Sequence, residues 1–157
     1  MNAKSSTESD VDVLALNNQF CFALYSASLA LTKTYKPLLD KLGLTYPQYL
    51  VMLVLWEQDD VLVKEIGNLL FLDSGTLTPL LKRLEAAGFI QRNRDASDER
   101  QVRITLTTQG KHLKKAAREV PLQIMCASGL QRDSVAGLRQ QLSALRDQLN
   151  EQLSRQE

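Results

Sequence analysis

Apolar residues along residues 12–42 recur at helical spacing: Leu16, Phe20, Leu24, Leu31, Leu38 and Leu42 predict one long helical segment. Pro37 is expected to kink or divide it, and Gly43 to end it. Thr45-Tyr46-Pro47-Gln48 then carries the marks of a helix start. Thr45 serves as cap, Gln48 lies three residues on as in a capping box, and Pro47 falls in the first turn, where its missing N–H does little harm. The run YLVMLVLWE is apolar nearly all round, so this helix is expected at the centre of the fold. Residues 57–60 read as a turn.

Residues 63–71 predict a short helix with Ile66, Leu69 and Leu70 inward. Asp73 or Ser74 caps the next helix, which continues to Ala87 before Gly88 stops it. Residues 89–93 and 101–107 alternate as strands do, with Val102, Ile104 and Leu106 sharing one face. Thr107 or Thr108 starts another helix that reaches Pro121. From Ser134 onward, Leu138, Leu142, Leu145, Leu149 and Leu153 form one leucine stripe between Arg, Gln and Glu. The pattern predicts a mainly α fold with a small β-hairpin wing. Residues 1–11 are polar and read as a disordered tail.

Composition adds limits rather than a function. A chain of 157 residues with 44% hydrophobic and 24% charged residues suits one ordinary globular domain. The net charge is only +1, so a nucleic-acid reader of this composition must gather its basic residues on one face. No run looks like a signal peptide or is long enough to span a bilayer, so a cytoplasmic protein with no membrane partner is expected. There the two cysteines are expected to be reduced or redox-active rather than a structural staple. His112, the single histidine, sits beside lysines, and no metal or other cofactor is expected.

Charge and small residues converge on residues 74–107. At 100° per residue, Leu77, Leu80, Leu81 and Leu84 face the core. Gly75, Pro79 and Lys82 lie opposite, flanked by Thr76, Thr78 and Arg83. Ser74, Thr76 and Thr78 offer hydroxyls, and Lys82 and Arg83 offer charge, to bases and phosphates in a groove. The hairpin brings Arg94 and Arg100, and an arginine on such a tip can enter a narrow minor groove. Asp98 is placed to hold Arg100 by a charge-assisted hydrogen bond. Helix followed by charged hairpin is the outline of a winged helix-turn-helix that binds double-stranded DNA.

The helix order, LTPLLKRLEAAGFI, the DASDER wing and LTTQG resemble the MarR family of bacterial repressors over nearly the whole chain. The resemblance implies a homodimer on a pseudo-palindromic operator, with residues 12–44 and 108–157 in the dimerisation region and residues 45–107 as the DNA-binding region. It implies a regulator and not an enzyme. A thiol peroxidase would lack any C-x-x-C motif here.

Cys21 lies in QFCFALYS. By itself it reads either as a small buried hydrophobe or as a reactive thiol. Residues 17–56 resemble the OhrR-type organic-hydroperoxide sensors of the MarR family. That resemblance makes Cys21 the peroxidatic thiol, Tyr35 and Tyr46 its hydrogen-bond partners, and an organic hydroperoxide the signal. It also matches Cys126 to the resolving cysteine of the two-cysteine subgroup, whose disulfide links the two subunits. An apolar pocket of Phe20, Phe22, Tyr35 and Tyr46 is expected to receive the hydroperoxide. The alternative is a MarR-type repressor released by non-covalent binding of a small aromatic ligand.

Overall fold

The structure, a computed structural model, describes residues 12–156. The expected tail at residues 1–11 lies outside them. After a short 3-10 turn at Leu16–Asn18, the elements are α1 (Phe20–Asp40), α2 (Tyr46–Glu57), β1 (Val61–Leu62), α3 (Val63–Leu70) and α4 (Ser74–Ala86). There follow β2 (Ile90–Arg94), β3 (Val102–Leu106), α5 (Thr108–Ala117), α6 (Glu119–Ser128) and α7 (Arg132–Ser154). The described residues up to Ala116 form one compact unit, and those from Ala117 onward a second.

In the first unit α1 runs unbroken through Pro37. The proline stands in the last turn, where it forfeits one backbone bond near an end that stops at Asp40 anyway, so no division results. At α2 the reciprocal capping box is formed. Thr45 N donates to Gln48 Oε1 at 2.8 Å, and Gln48 N donates to Thr45 Oγ1 at 3.4 Å. With its start fixed, α2 buries Tyr49, Val51, Met52, Leu55 and Trp56 and forms the centre of the unit.

α3 and α4 make the helix-turn-helix. Ile66 and Leu84 are fully buried, with Leu77 and Leu81 beside them. Leu69 points outward, 61% exposed, contrary to the expected inward stripe. The buried position next to Ile66 is Gly67, where an added Cβ would meet the Leu72 carbonyl oxygen at 2.9 Å. The helix pair therefore approaches through glycine, and the leucine is turned to solvent.

The sheet has the order β1-β3-β2, antiparallel throughout. Ile90 pairs with Leu106 and Arg94 with Val102, which fixes the register of the wing. β1 adds two residues to the outer edge of β3 through Val61 opposite Ile104. Gly88, at φ +80°, reverses the chain between α4 and β2. Gly110 lets α5 lie against β2: a Cβ there would stand 2.1 Å from the Phe89 carbonyl oxygen. The Gly110 carbonyl in turn accepts the Trp56 indole N–H at 2.9 Å, tying α5 to α2.

The second unit holds α6 and α7. α6 ends at Gly129, and α7 exposes Leu138, Leu142, Leu149 and Leu153, with none of its described residues buried. Among the described residues no helix is long and apolar enough to cross a membrane.

Candidate sensor site and nucleic-acid interface

α4 starts where Asp73 accepts the Thr76 backbone N–H at 2.8 Å and the Thr76 hydroxyl at 3.2 Å. These bonds hold the Asp73 carboxyl below the usual carboxylate range. The Thr76 hydroxyl thus donates to the cap and keeps its lone pairs for an incoming donor. Ser74, Thr76, Lys82 and Arg83 are exposed and Thr78 is half-buried. Among the described residues neither Lys82 nor Arg83 forms an ion pair, so both charges are available to phosphate.

The wing loop is organised around Asp95, a carboxylate only 7% exposed. It accepts Ser97 N at 2.8 Å, the Ser97 hydroxyl, and Asp98 N at 3.1 Å. Arg103 Nη1 donates to its other oxygen at 2.9 Å. The Ser97 hydroxyl and the Arg103 guanidinium hold the Asp95 carboxyl far below the usual range. Asp98 grips Arg100 at 3.0 Å and 3.3 Å, the hydrogen bonding expected of that pair, and Arg100 stands almost fully in solvent beyond it. Arg94 is exposed at the end of β2.

Cys21 is the second residue of α1 and is exposed. Tyr35 lies fourteen residues further along the same helix, about 21 Å at 1.5 Å per residue. One chain therefore does not bring its own Cys21 and Tyr35 together. Tyr35 does meet Tyr46 of α2, ring centroids 4.7 Å apart, and Tyr49 closes the cluster at 6.0 Å and 6.4 Å. Burial, with the neighbouring Tyr46 and Tyr49 phenols, pushes the Tyr35 hydroxyl up to about 12. Burial also raises Tyr46 and Tyr49. These phenols stay protonated at neutral pH and so keep an O–H to donate.

Beside Tyr46 a cavity of about 340 Å³ opens between α1 and α2, lined by Leu29, Leu39, Leu44 and Pro47 among others. Phe20 and Phe22 do not line it, because they sit near the start of α1, more than three turns from Tyr35. Within one chain this cavity shares only Tyr46 with the expected pocket, and Lys33, Lys36 and Asp40 line it beside the aliphatic residues. Cys126 lies in α6 of the second unit and is exposed.

The family model for the transcriptional regulator SarA/Rot matches residues 33–117. The organic hydroperoxide resistance transcriptional regulator of Bacillus subtilis (strain 168) is 51% identical over 138 residues, covering 88% of this chain and 92% of its own. The chain belongs to the MarR family of winged-helix transcriptional regulators. Its likeness to the OhrR type is carried by that identity. Solved members of the family share the fold. Reduced AbfR bound to DNA, from Staphylococcus epidermidis, is 40% identical with a TM-score of 0.72 over 85% of this chain and 93% of its own. AbfR with its disulfide formed is 41% identical with a TM-score of 0.62 over 83% and 91%. Members of this family are DNA-binding regulators and not enzymes.

Sequence reading missed three features. The Asp95–Arg103–Asp60 network joins residues far apart in the chain, and only the strand register reveals it. Tyr49 belongs to the tyrosine cluster but reads as one more apolar position in YLVMLVLWE. Lys64 and Arg92 face the space between α4 and the wing, which no linear motif marks.

Proposed function

We propose that this regulator is a homodimeric repressor that binds a pseudo-palindromic operator when reduced and leaves it when an organic hydroperoxide oxidises Cys21. The observation that carries the reading is the split site: an exposed thiol at one end of α1 and a pair of neutral phenols in ring contact, Tyr35 with Tyr46, by the other. A two-fold partner running antiparallel along α1 supplies each Cys21 with the other subunit's Tyr35 and Tyr46. The apolar residues exposed on α1, among them Phe20, Leu24 and Leu31, and the leucines exposed on α7 supply surface for such a dimer. In this reading residues 12–44 and 108–157 dimerise and residues 45–107 bind DNA. Working on DNA, it is a cytoplasmic protein.

The chemistry balances. Two phenol O–H groups donate to the Cys21 thiolate and favour it without a neighbouring cation. The sulfur attacks the distal peroxide oxygen, the O–O bond breaks, and the departing alkoxide takes a proton to leave as an alcohol. The resulting sulfenic acid condenses with the Cys126 thiol of the other subunit, giving a disulfide and water. That bond shifts the DNA-binding lobes and spoils their match to the operator spacing. Ser74, Thr76, Thr78, Lys82 and Arg83 of α4 make the major-groove contacts, and Arg94 with the Asp98–Arg100 pair makes those of the wing. The resemblance to the Bacillus subtilis hydroperoxide regulator and to AbfR in reduced, DNA-bound and disulfide forms supports this reading.

A second reading rests on the cavity beside Tyr46: a small aromatic ligand held there releases DNA with no covalent step. Cumene hydroperoxide added to the operator complex separates the two. The Cys21→Ser variant keeps its DNA under peroxide in the first reading. Release by the serine variant supports the second.

A further inference from the structure

A cleft of about 500 Å³ lies between α4 and the wing. Lys64 of α3, Thr78 of α4, Arg92 of β2, and Arg100 and Gln101 of the wing line it over an apolar floor that includes Leu81. Three cations from three separate elements face one space, and among the described residues no acidic one lines it. Two carboxylates stand behind. Glu85 accepts the Arg92 backbone N–H at 3.1 Å and lies 3.8 Å from its guanidinium, and Asp98 holds Arg100. Lys64 forms no ion pair among the described residues. The cleft therefore keeps net positive charge in a surface that is otherwise balanced to +1 over the whole chain.

We infer that this cleft is a seat for one sugar–phosphate strand of the operator, with Lys64 and Arg92 as phosphate ligands and Thr78 and Gln101 as neutral donors beside them. The inference rests on the DNA-binding reading above. Its geometry follows from the duplex. A helix in the major groove and a wing in the next minor groove are separated by a single backbone strand, and that strand must pass through whatever space divides them. Here the space is lined by hydrogen-bond donors of the types that phosphate accepts. Contacts of this kind set register and affinity but carry no base identity. Lys64 and Arg92 thus act on every duplex alike.

The test is the salt dependence of binding to a labelled random-sequence duplex and to an operator selected from a duplex pool, by fluorescence anisotropy. Each lost phosphate contact lowers the slope of log K against log salt by about 0.9. Lys64→Gln is expected to lower it by that amount on both duplexes and leave their affinity ratio unchanged. Arg92→Gln is expected to do the same, Lys64→Arg to restore the wild-type slope, and Lys115→Gln on α5 to leave it unchanged. Thermal melts check that each variant folds. Wild-type slope and affinity in both glutamine variants overturn the seat, as does a changed affinity ratio in Lys64→Gln. A wild-type protein that binds neither duplex instead overturns the DNA-binding reading on which the inference stands.

Discussion

Arg103 ties the root of the wing to the turn that ends α2. Its Nε donates to Asp60 Oδ1 at 2.8 Å and its Nη2 to the Asp60 carbonyl at 2.8 Å, while Nη1 reaches Asp95. Asp60 itself has φ +61°, a left-handed turn residue held by these bonds. Asp59 beside it accepts the Leu106 backbone N–H at 2.8 Å and pairs with Lys111 at 3.2 Å. The helix whose first residue is Tyr46 is therefore fastened at its far end to the strand that carries the wing.

Arg103→Ala releases the wing root from both aspartates at once. DNA affinity is expected to fall for operator and random duplex alike, while peroxide still oxidises Cys21 at the wild-type rate. Anisotropy and a thiol-trapping time course check the two halves.

Arg100→Ala removes the wing-tip cation that Asp98 orients. The salt slope is expected to flatten by about 1. An unchanged slope means the hairpin tip stays in solvent.

Tyr35→Phe removes one of the two proposed donors to the thiolate and keeps the ring packing. A hydrogen bond to a charged group contributes roughly 1.5–3 kcal/mol, so oxidation of Cys21 is expected to slow on the order of tenfold or more. Stopped-flow kinetics with cumene hydroperoxide measure it. In an alkaline titration of phenol absorbance, Tyr35 is expected to ionise last, near pH 12. Its raised folded value means the fold loses stability as pH climbs from about 10, where the unfolded phenol ionises, through that value.

Asp95 gives the opposite sign. Its folded carboxyl is held below the ordinary value, so its contribution is present at neutral pH and fades as pH drops below about 4. Asp95→Asn is expected to lower the melting temperature at pH 7 and to converge on the parent in acid.

Much of the fold was legible because its signals are local. The Thr45–Gln48 box, the Asp73 cap, the leucine face of α4 and the alternation at Val102, Ile104 and Leu106 each lie within a few residues. β1 was not legible: Val61 and Leu62 are a strand only because β3 lies beside them. Nor was the Arg103–Asp60 tie, whose partners are 43 residues apart. At the site, the tyrosine pair was named from resemblance, and packing supplied its third member, Tyr49. The expected hydroperoxide pocket is not formed within one chain, because Phe20 and Phe22 are near Cys21 in sequence but distant from Tyr46 along a straight helix.

Cys126→Ser is expected to release DNA on first exposure to peroxide, then to over-oxidise at Cys21 and rebind poorly after thiol treatment. Full and repeatable recovery would reduce Cys126 to a bystander.

The central claim is that oxidation of one sulfur frees the operator. Intact mass spectrometry without reductant, on samples drawn as DNA dissociates under cumene hydroperoxide, tests it most directly. The expected result is a Cys21–Cys126 linked dimer rising in step with free DNA, preceded by a single added oxygen on Cys21. Free DNA with both thiols still reduced would contradict it.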